Sequence, residues 1–211
     1  MRLYCEDCFT FVDAHRSQKD IAQGSCGHRI KIKLIPFAEG KVGLKLCLQS
    51  AEQLAVSARR LLGQDNRIAL FLTLSAYEEM AKCQRILDAA AENAVSHDEL
   101  ALEEALFKHH ETKYRLTMDY LDFWITSGDV IRRMFYPSPP SVDNNQLRAD
   151  RKSIRNNGFK IRNGCLYVDY QRTWVNRPPV NKDKVSRNLT MLKSMMDGYR
   201  SSLKNWKLAI S

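Results

Sequence analysis

Cys5, Cys8, Cys26 and His28 have the types and spacing of metal ligands. Cys5-x2-Cys8 and Cys26-x-His28 are two close pairs of soft donors, with 17 residues between them. A tetrahedral zinc ion needs such pairing, because each tight turn presents two ligands at about 2.0–2.3 Å from the metal. Gly27 suits the second turn, and His15 is an alternative to His28 as the fourth ligand. Four protein ligands leave no open position, so the expected Zn2+ is structural rather than catalytic. Cys47 and Cys83 fall on apolar helix faces and read as core residues, and Cys165 carries no signal.

A second group of residues stands out because it is charged where a core should be. At about 100° per residue, Glu79 falls in the middle of the apolar face formed by Ile68, Leu72, Ala76, Met80, Cys83 and Ile86, with Glu78 off to its side and Lys82 at the near edge. In the following helix, His110 and Lys113 fall within the face of Leu102, Leu106, Phe107, Tyr114 and Leu121. Unpartnered burial of such groups costs several kcal/mol each. The two faces are therefore expected to meet, with Glu79 opposing His110 and Lys113. One reading is a structural polar cluster that fixes helix register. The other is a cleft in which Glu79 and His110 form an acid/base pair and Lys113 meets an anion.

The third group is basic. Arg148, Arg151, Lys152, Arg155, Lys160 and Arg162 stand in a run with the single acid Asp150, and Tyr167, Tyr170 and Trp174 follow. Such a stretch could track a phosphate backbone and stack bases. It could equally pair with the acidic 88–104 segment, within the chain or across a dimer.

The elements that must position these groups follow from patterning. Residues 28–35 alternate apolar and charged side chains before Pro36, a strand signal bounded by glycines. Helices are expected at about 42–63, with Leu46, Leu54 and Leu61 near heptad spacing and Gly63 as the stop, and at about 66–94. A third is expected from the capping-box-like Ser96-His-Asp-Glu99 to about 124. Residues 142–157 read as a short helix ending at Gly158, and 158–170 as extended or irregular. The last helix, from about 181 to 209, carries Val185, Leu189, Leu192, Met196, Tyr199, Leu203, Trp206 and Ile210 at steps of 3 or 4. The implied architecture is mainly α, an antiparallel helical bundle over residues 42–211 preceded by a small zinc-ribbon-like β module over 1–41.

Composition sets the outer limits. The chain has 211 residues, 44% apolar and 27% charged, which excludes wholesale disorder, and it has no apolar run long enough to span a bilayer. The first residues lack a secretory pattern, so a cytoplasmic protein is expected. The formal net charge of +9 is uneven: +2 over residues 1–42, −4 over 43–122 and +11 over 123–211.

Ordered motifs then point to a family. Ala69-Leu-Phe-Leu-Thr-Leu-Ser-Ala-Tyr-Glu78-Glu79-Met-Ala-Lys82 resembles the Glu-Glu-x-x-Lys helix of AbiV-type abortive infection proteins in the HEPN superfamily. Phe107-Lys-His-His110-Glu-Thr-Lys113 resembles their Phe-x-x-His-x-x-Lys element, and Gly164-Cys-Leu-Tyr-Val-Asp169 the segment before their last helix. The resemblance spans 43–211. It implies a HEPN bundle, commonly dimeric, that acts in bacterial defence against phage, and it singles out Glu78, Glu79, Lys82, His110 and Lys113. Many HEPN ribonucleases place an Arg four to six residues before a His, and no His in this chain has one. The expected function is an anti-phage effector that arrests growth or translation by binding RNA, the translation machinery or a phage protein. The alternative is a metal-independent ribonuclease with His110 as general acid/base.

Overall fold

The computed structural model describes residues 1–92, 99–126, 145–166, 169–170, 174–175 and 179–205. Strands β1 (Arg2–Cys5), β2 (Thr10–Gln18), β3 (Ile21–Gly24) and β4 (Arg29–Pro36) form an antiparallel meander. Its apolar side chains gather Leu3, Cys5, Val12, Ala22, Ile30 and Ile32 into a small core. The edge of β4 is then paired by β5 (Glu99–Glu103), in the register Ile32↔Glu103 to Pro36↔Glu99. Residues expected to open a helix thus supply the fifth strand. Glu-Leu-Ala-Leu-Glu contains good helix formers, but an open strand edge offers hydrogen bonds that local propensity does not outweigh. Ser96, His97 and Asp98 of the capping-box reading lie outside the described residues.

The helices follow. α1 (Phe37–Leu61) and α2 (Asn66–Glu92) are joined by four residues and pack as an antiparallel hairpin. Gly63 turns the chain between them with φ +88°, a conformation glycine adopts at little cost. Asp65 Oδ1 then accepts hydrogen bonds from the Arg67 and Ile68 backbone amides at 3.0 Å and opens α2. The buried stripe of α1 is Leu44, Leu48, Ala51, Ala55 and Ala58, not the expected Leu46-Leu54-Leu61 row. Leu46 is exposed, in line with Val42 and Val56. The small alanines let α1 approach α2 closely, so the longer leucines fall to the sides.

After β5 come the short α3 (Ala105–Lys108) and α4 (His110–Thr126), then α5 (Asn145–Leu166) and α6 (Lys182–Asn205). α2 is the central helix, in contact with α1, α4, α5, α6 and β5. α6 buries Val185, Leu189, Leu192, Met196 and Tyr199, as its stripe predicts, while Trp206 and Ile210 lie outside the described residues. Of the 158–170 stretch expected to be extended, residues 158–166 are helical and only β6 (Asp169–Tyr170) is a strand, paired with β7 (Trp174–Val175) beyond it. Among the described residues no helix is long and apolar enough to cross a membrane.

α5 departs most from expectation. It does not stop at Gly158 but runs eight residues further, to Leu166. The reason is a close approach: a Cβ at 158 would lie 2.5 Å from the buried Tyr114 ring of α4. Glycine here is not a helix stop but a notch that admits an aromatic ring. Ordinarily a helical Gly→Ala change stabilises by about 1 kcal/mol. Gly158→Ala should instead destabilise by about 1–3 kcal/mol through overpacking. In thermal melts it should lower Tm by several degrees, and a raised Tm would refute this packing.

Candidate functional site

Three helices converge on one buried carboxylate. It belongs to Glu78, 5% exposed, rather than to Glu79. Glu78 Oε1 accepts the Tyr114 hydroxyl at 2.6 Å and Nη1 of Arg162 at 2.8 Å. Its Oε2 lies 2.6 Å from Nδ1 of His110 and 3.8 Å from Nζ of Lys113. Glu79 is turned away, to a partly exposed ion pair with Lys82 at 2.7 Å. The wheel placed Glu79 at the centre because it assumes one apolar face, whereas α2 is packed on nearly every side. His110 and Lys113 are brought together as expected, but around Glu78, with Glu79 and Lys82 beside them.

The hydrogen-bond pattern sets the role of each partner. Arg162 can only donate, and a carboxylate that also receives a tyrosine hydroxyl acts as acceptor, so Nδ1 of His110 is assigned the hydrogen it shares with Oε2. The basic lone pair is then on Nε2, for which the described residues provide no hydrogen bond. The imidazole stacks on Phe159 at 5.4 Å with an interplanar angle of 8°. Arg162 also reaches to 3.5 Å from Nδ1. An Arg–His neighbourhood absent from the local sequence is therefore assembled from α4 and α5. Burial lowers the pKa of Lys113, with Glu78 opposing the shift. Burial, then the Glu78 charge, pushes the Tyr114 hydroxyl well up, so this group stays a donor.

His110 stands on the wall of a cleft of about 450 Å³, shared with Glu6, Phe9, Lys108, His109, Glu111, Thr112, Arg115 and Phe159. Lys113, expected to meet an anion, is not in this lining; its side chain is buried against Glu78. His109 stands at the border of the apolar face in the sequence, whereas Arg115 and the Phe9 wall carried no signal, because it takes the fold to bring residue 9 to residue 115.

The basic run divides. Arg151 is buried, Arg155 is held by Asp119 at 2.5 and 3.3 Å, and Arg162 is held by Glu78. Arg148, Lys152 and Lys160 are exposed. Half of the cations expected to face a polyanion are therefore buried or already engaged by a carboxylate of the chain, and Asp150 is bound by Arg187 of α6 at 2.8 Å.

The metal-type ligands do assemble. Donor atoms of Cys5, Cys8, Cys26 and His28 all lie within 4.8 Å of one another. Cys5 Sγ and Cys26 Sγ are 3.7 Å apart, and His28 Nδ1 is 3.6 Å from Cys5 Sγ and 3.2 Å from Cys8 Sγ. A tetrahedron with metal–sulfur bonds of about 2.3 Å has edges near 3.7 Å, so this donor set fits a tetrahedral metal ion. His15, exposed on β2, lies outside the cluster. Within this cluster the Cys26 thiol is lowered to about 7, first by a backbone hydrogen bond at His28, while burial and its sulfur neighbours raise the Cys8 thiol to about 11. Glu6, between the two knuckle cysteines, accepts a hydrogen bond from the Thr112 hydroxyl and lies 3.6 Å from His109 Nδ1. The metal cluster thus abuts the first turn of α4.

A buried pair neither helix wheel revealed holds the sheet to the bundle. Arg85 of α2 and Glu103 of β5 are 1% and 2% exposed and paired at 3.0 Å, and Glu103 also accepts the Tyr4 amide at 2.5 Å. Arg85 further donates to the Arg2 carbonyl at 3.3 Å.

Compared with known proteins, the chain matches the family model of AbiV over residues 40–191, that is from the first turn of α1 into the first half of α6, with the first four strands and the metal-type cluster outside it. No curated protein and no solved structure matches it. The adjacent glutamates make the central claim testable. Glu78→Gln should cost about 3 kcal/mol or more by leaving buried cations without their anion. Glu79→Gln should cost no more than about 1 kcal/mol, since its ion pair is partly solvated. Chemical denaturation of the two variants measures the difference, and equal losses would contradict this assignment.

Proposed function

The chain belongs to the AbiV family of HEPN proteins, and from that premise we propose that it is an abortive-infection effector whose target is RNA, cleaved without a metal at His110. The observation that carries this reading is the contact of Glu78 Oε2 with His110 Nδ1 at 2.6 Å, on the wall of an open cleft. A buried carboxylate that orients an imidazole and leaves its second nitrogen basic is an arrangement suited to proton transfer. In the proposed reaction Nε2 takes the proton of an RNA 2′-hydroxyl. The 2′-oxygen bonds to the adjacent phosphorus, the bond to the 5′-oxygen breaks, and a 2′,3′-cyclic phosphate and a 5′-hydroxyl result. His109, on the same wall, delivers the proton to the departing 5′-oxygen, and Arg115, also in the cleft lining, is the cation proposed to meet the developing charge.

The second reading is an effector that binds RNA or the translation machinery without cutting. The saturation of Glu78 favours it, because a carboxylate with four partners from two helices also serves as a register lock. Incubation of purified protein with total RNA, beside a His110→Ala variant, separates the two. The first reading expects cleavage that falls about 100-fold or more in the variant. Intact RNA bound tightly by both proteins would establish the second.

Zinc is the proposed occupant of the Cys5/Cys8/Cys26/His28 cluster, with a structural role, since three thiolates and one imidazole in tetrahedral array select it and leave no position open. Metal analysis should find about one equivalent per chain. A Cys5→Ser/Cys8→Ser double variant should lose the metal and melt at lower temperature. Native protein isolated without metal would overturn the assignment.

A further inference from the structure

Phe9 follows Cys8 directly in the metal knuckle, at φ 53°, within the left-handed region that bulky L side chains rarely adopt. Its ring is nonetheless held out, 51% exposed, instead of joining either core. One face carries the Arg115 guanidinium, 3.9 Å from the ring centroid. An apolar ring displayed at a strained backbone position, over a cleft, calls for a partner.

The rest of the cleft indicates its chemistry. The lining places the cations Lys108 and Arg115 with the carboxylates Glu6 and Glu111, the imidazoles of His109 and His110, and a second aromatic, Phe159. Lys108 is already paired with Glu104. The balance of charge is therefore near neutral, which suits a flat ligand with polar edges better than a bare polyanion. A nucleobase has a π face for Phe9 and amino groups for carboxylates, and its phosphate suits Arg115.

We propose that the cleft between the metal knuckle and α4 is a subsite for one unpaired nucleobase of single-stranded RNA, stacked on the open face of Phe9 beside His110. This rests on RNA being the target. It adds that the N-terminal extension, outside the matched region, supplies the base platform. Paired bases cannot present a face to the ring, so the subsite selects single strands.

Binding can be read apart from cleavage in full-length, metal-loaded protein carrying His110→Ala. The probe is a fluorescein-labelled oligocytidylate of about ten nucleotides, followed by anisotropy. Phe9→Gly is the informative variant, because glycine accepts the left-handed backbone and the fold survives, which an unchanged or raised Tm checks. Loss of one stacked base should weaken binding about 5- to 100-fold, and Phe9→Trp should retain it. Affinity unchanged in Phe9→Gly, equal affinity for a duplex, or no binding by the parent would overturn the subsite. If Phe9-dependent binding occurs but wild-type protein leaves RNA intact, the subsite stands and the cleavage reading falls. If wild type and Phe9→Gly cut and bind equally, the reverse holds.

Discussion

The helical bundle depends on how the buried negative charge of Glu78 is compensated. Glu78 sits at 5% exposure on the central helix, and its partners come from α4 and α5. Desolvating a carboxylate is costly enough that the fold must bring donors to it from both sides. Each donor carries its helix along. Tyr114 reaches the carboxylate only because α5 offers a glycine notch at 158, and Arg162 reaches it only because α5 continues past that notch to Leu166. The same charge that aligns three helices orients His110 at the cleft, so bundle register and imidazole orientation are one constraint.

A second compensated charge does for the sheet what Glu78 does for the helices. Arg85 and Glu103 bridge α2 to β5, and Glu103 also holds the amide of Tyr4 in β1. β5 in turn is hydrogen-bonded to β4. The N-terminal strands are therefore fastened to the bundle at two edges. Between these fastenings lies a small mixed core of Tyr4, Ala81, Leu106 and Leu116. This attachment keeps Glu6 and Phe9 opposite α4, where they line one cleft with His110.

What the sequence makes legible follows from the range of the forces involved. The α6 stripe, the start of α2 near residue 66 and the turn at Gly63 rest on local patterning, and all three appear as expected. The metal-type ligands are also legible, because knuckle pairing is a local property; what remained open was His15 against His28, and it is His28 that joins the three cysteines. The choice between Glu78 and Glu79 was not legible. The two stand about 100° apart on a helix, and a helix packed on nearly all sides has no single inward direction. Nor could the strand at Glu99–Glu103 be seen, since the edge it completes lies more than sixty residues earlier. The partners of Arg155 and Arg162 lie 36 and 84 residues away in sequence.

The distribution of charge now has a physical explanation that the net value hides. The +11 of the C-terminal part looks like a polyanion surface, yet Arg155, Arg162 and Arg187 are each engaged by a carboxylate of the chain. Each such pair removes a cation from the field that an approaching nucleic acid would meet, and a field so reduced steers weakly at physiological salt. Recognition of RNA, as proposed, would then come from contact geometry more than from long-range attraction. The cleft beside His110 would supply it, with an exposed aromatic ring, a guanidinium over one face and carboxylates at the edge. These groups stand on a knuckle between β1 and β2 whose own core is only a handful of side chains. A core that small rarely fixes a loop to within an ångström unaided, whereas a four-ligand metal ion does. With the proposed zinc bound, the role of the metal-type cluster would be positional: it would set where residues 6 and 9 stand relative to α4, and so give shape to the cleft beside His110.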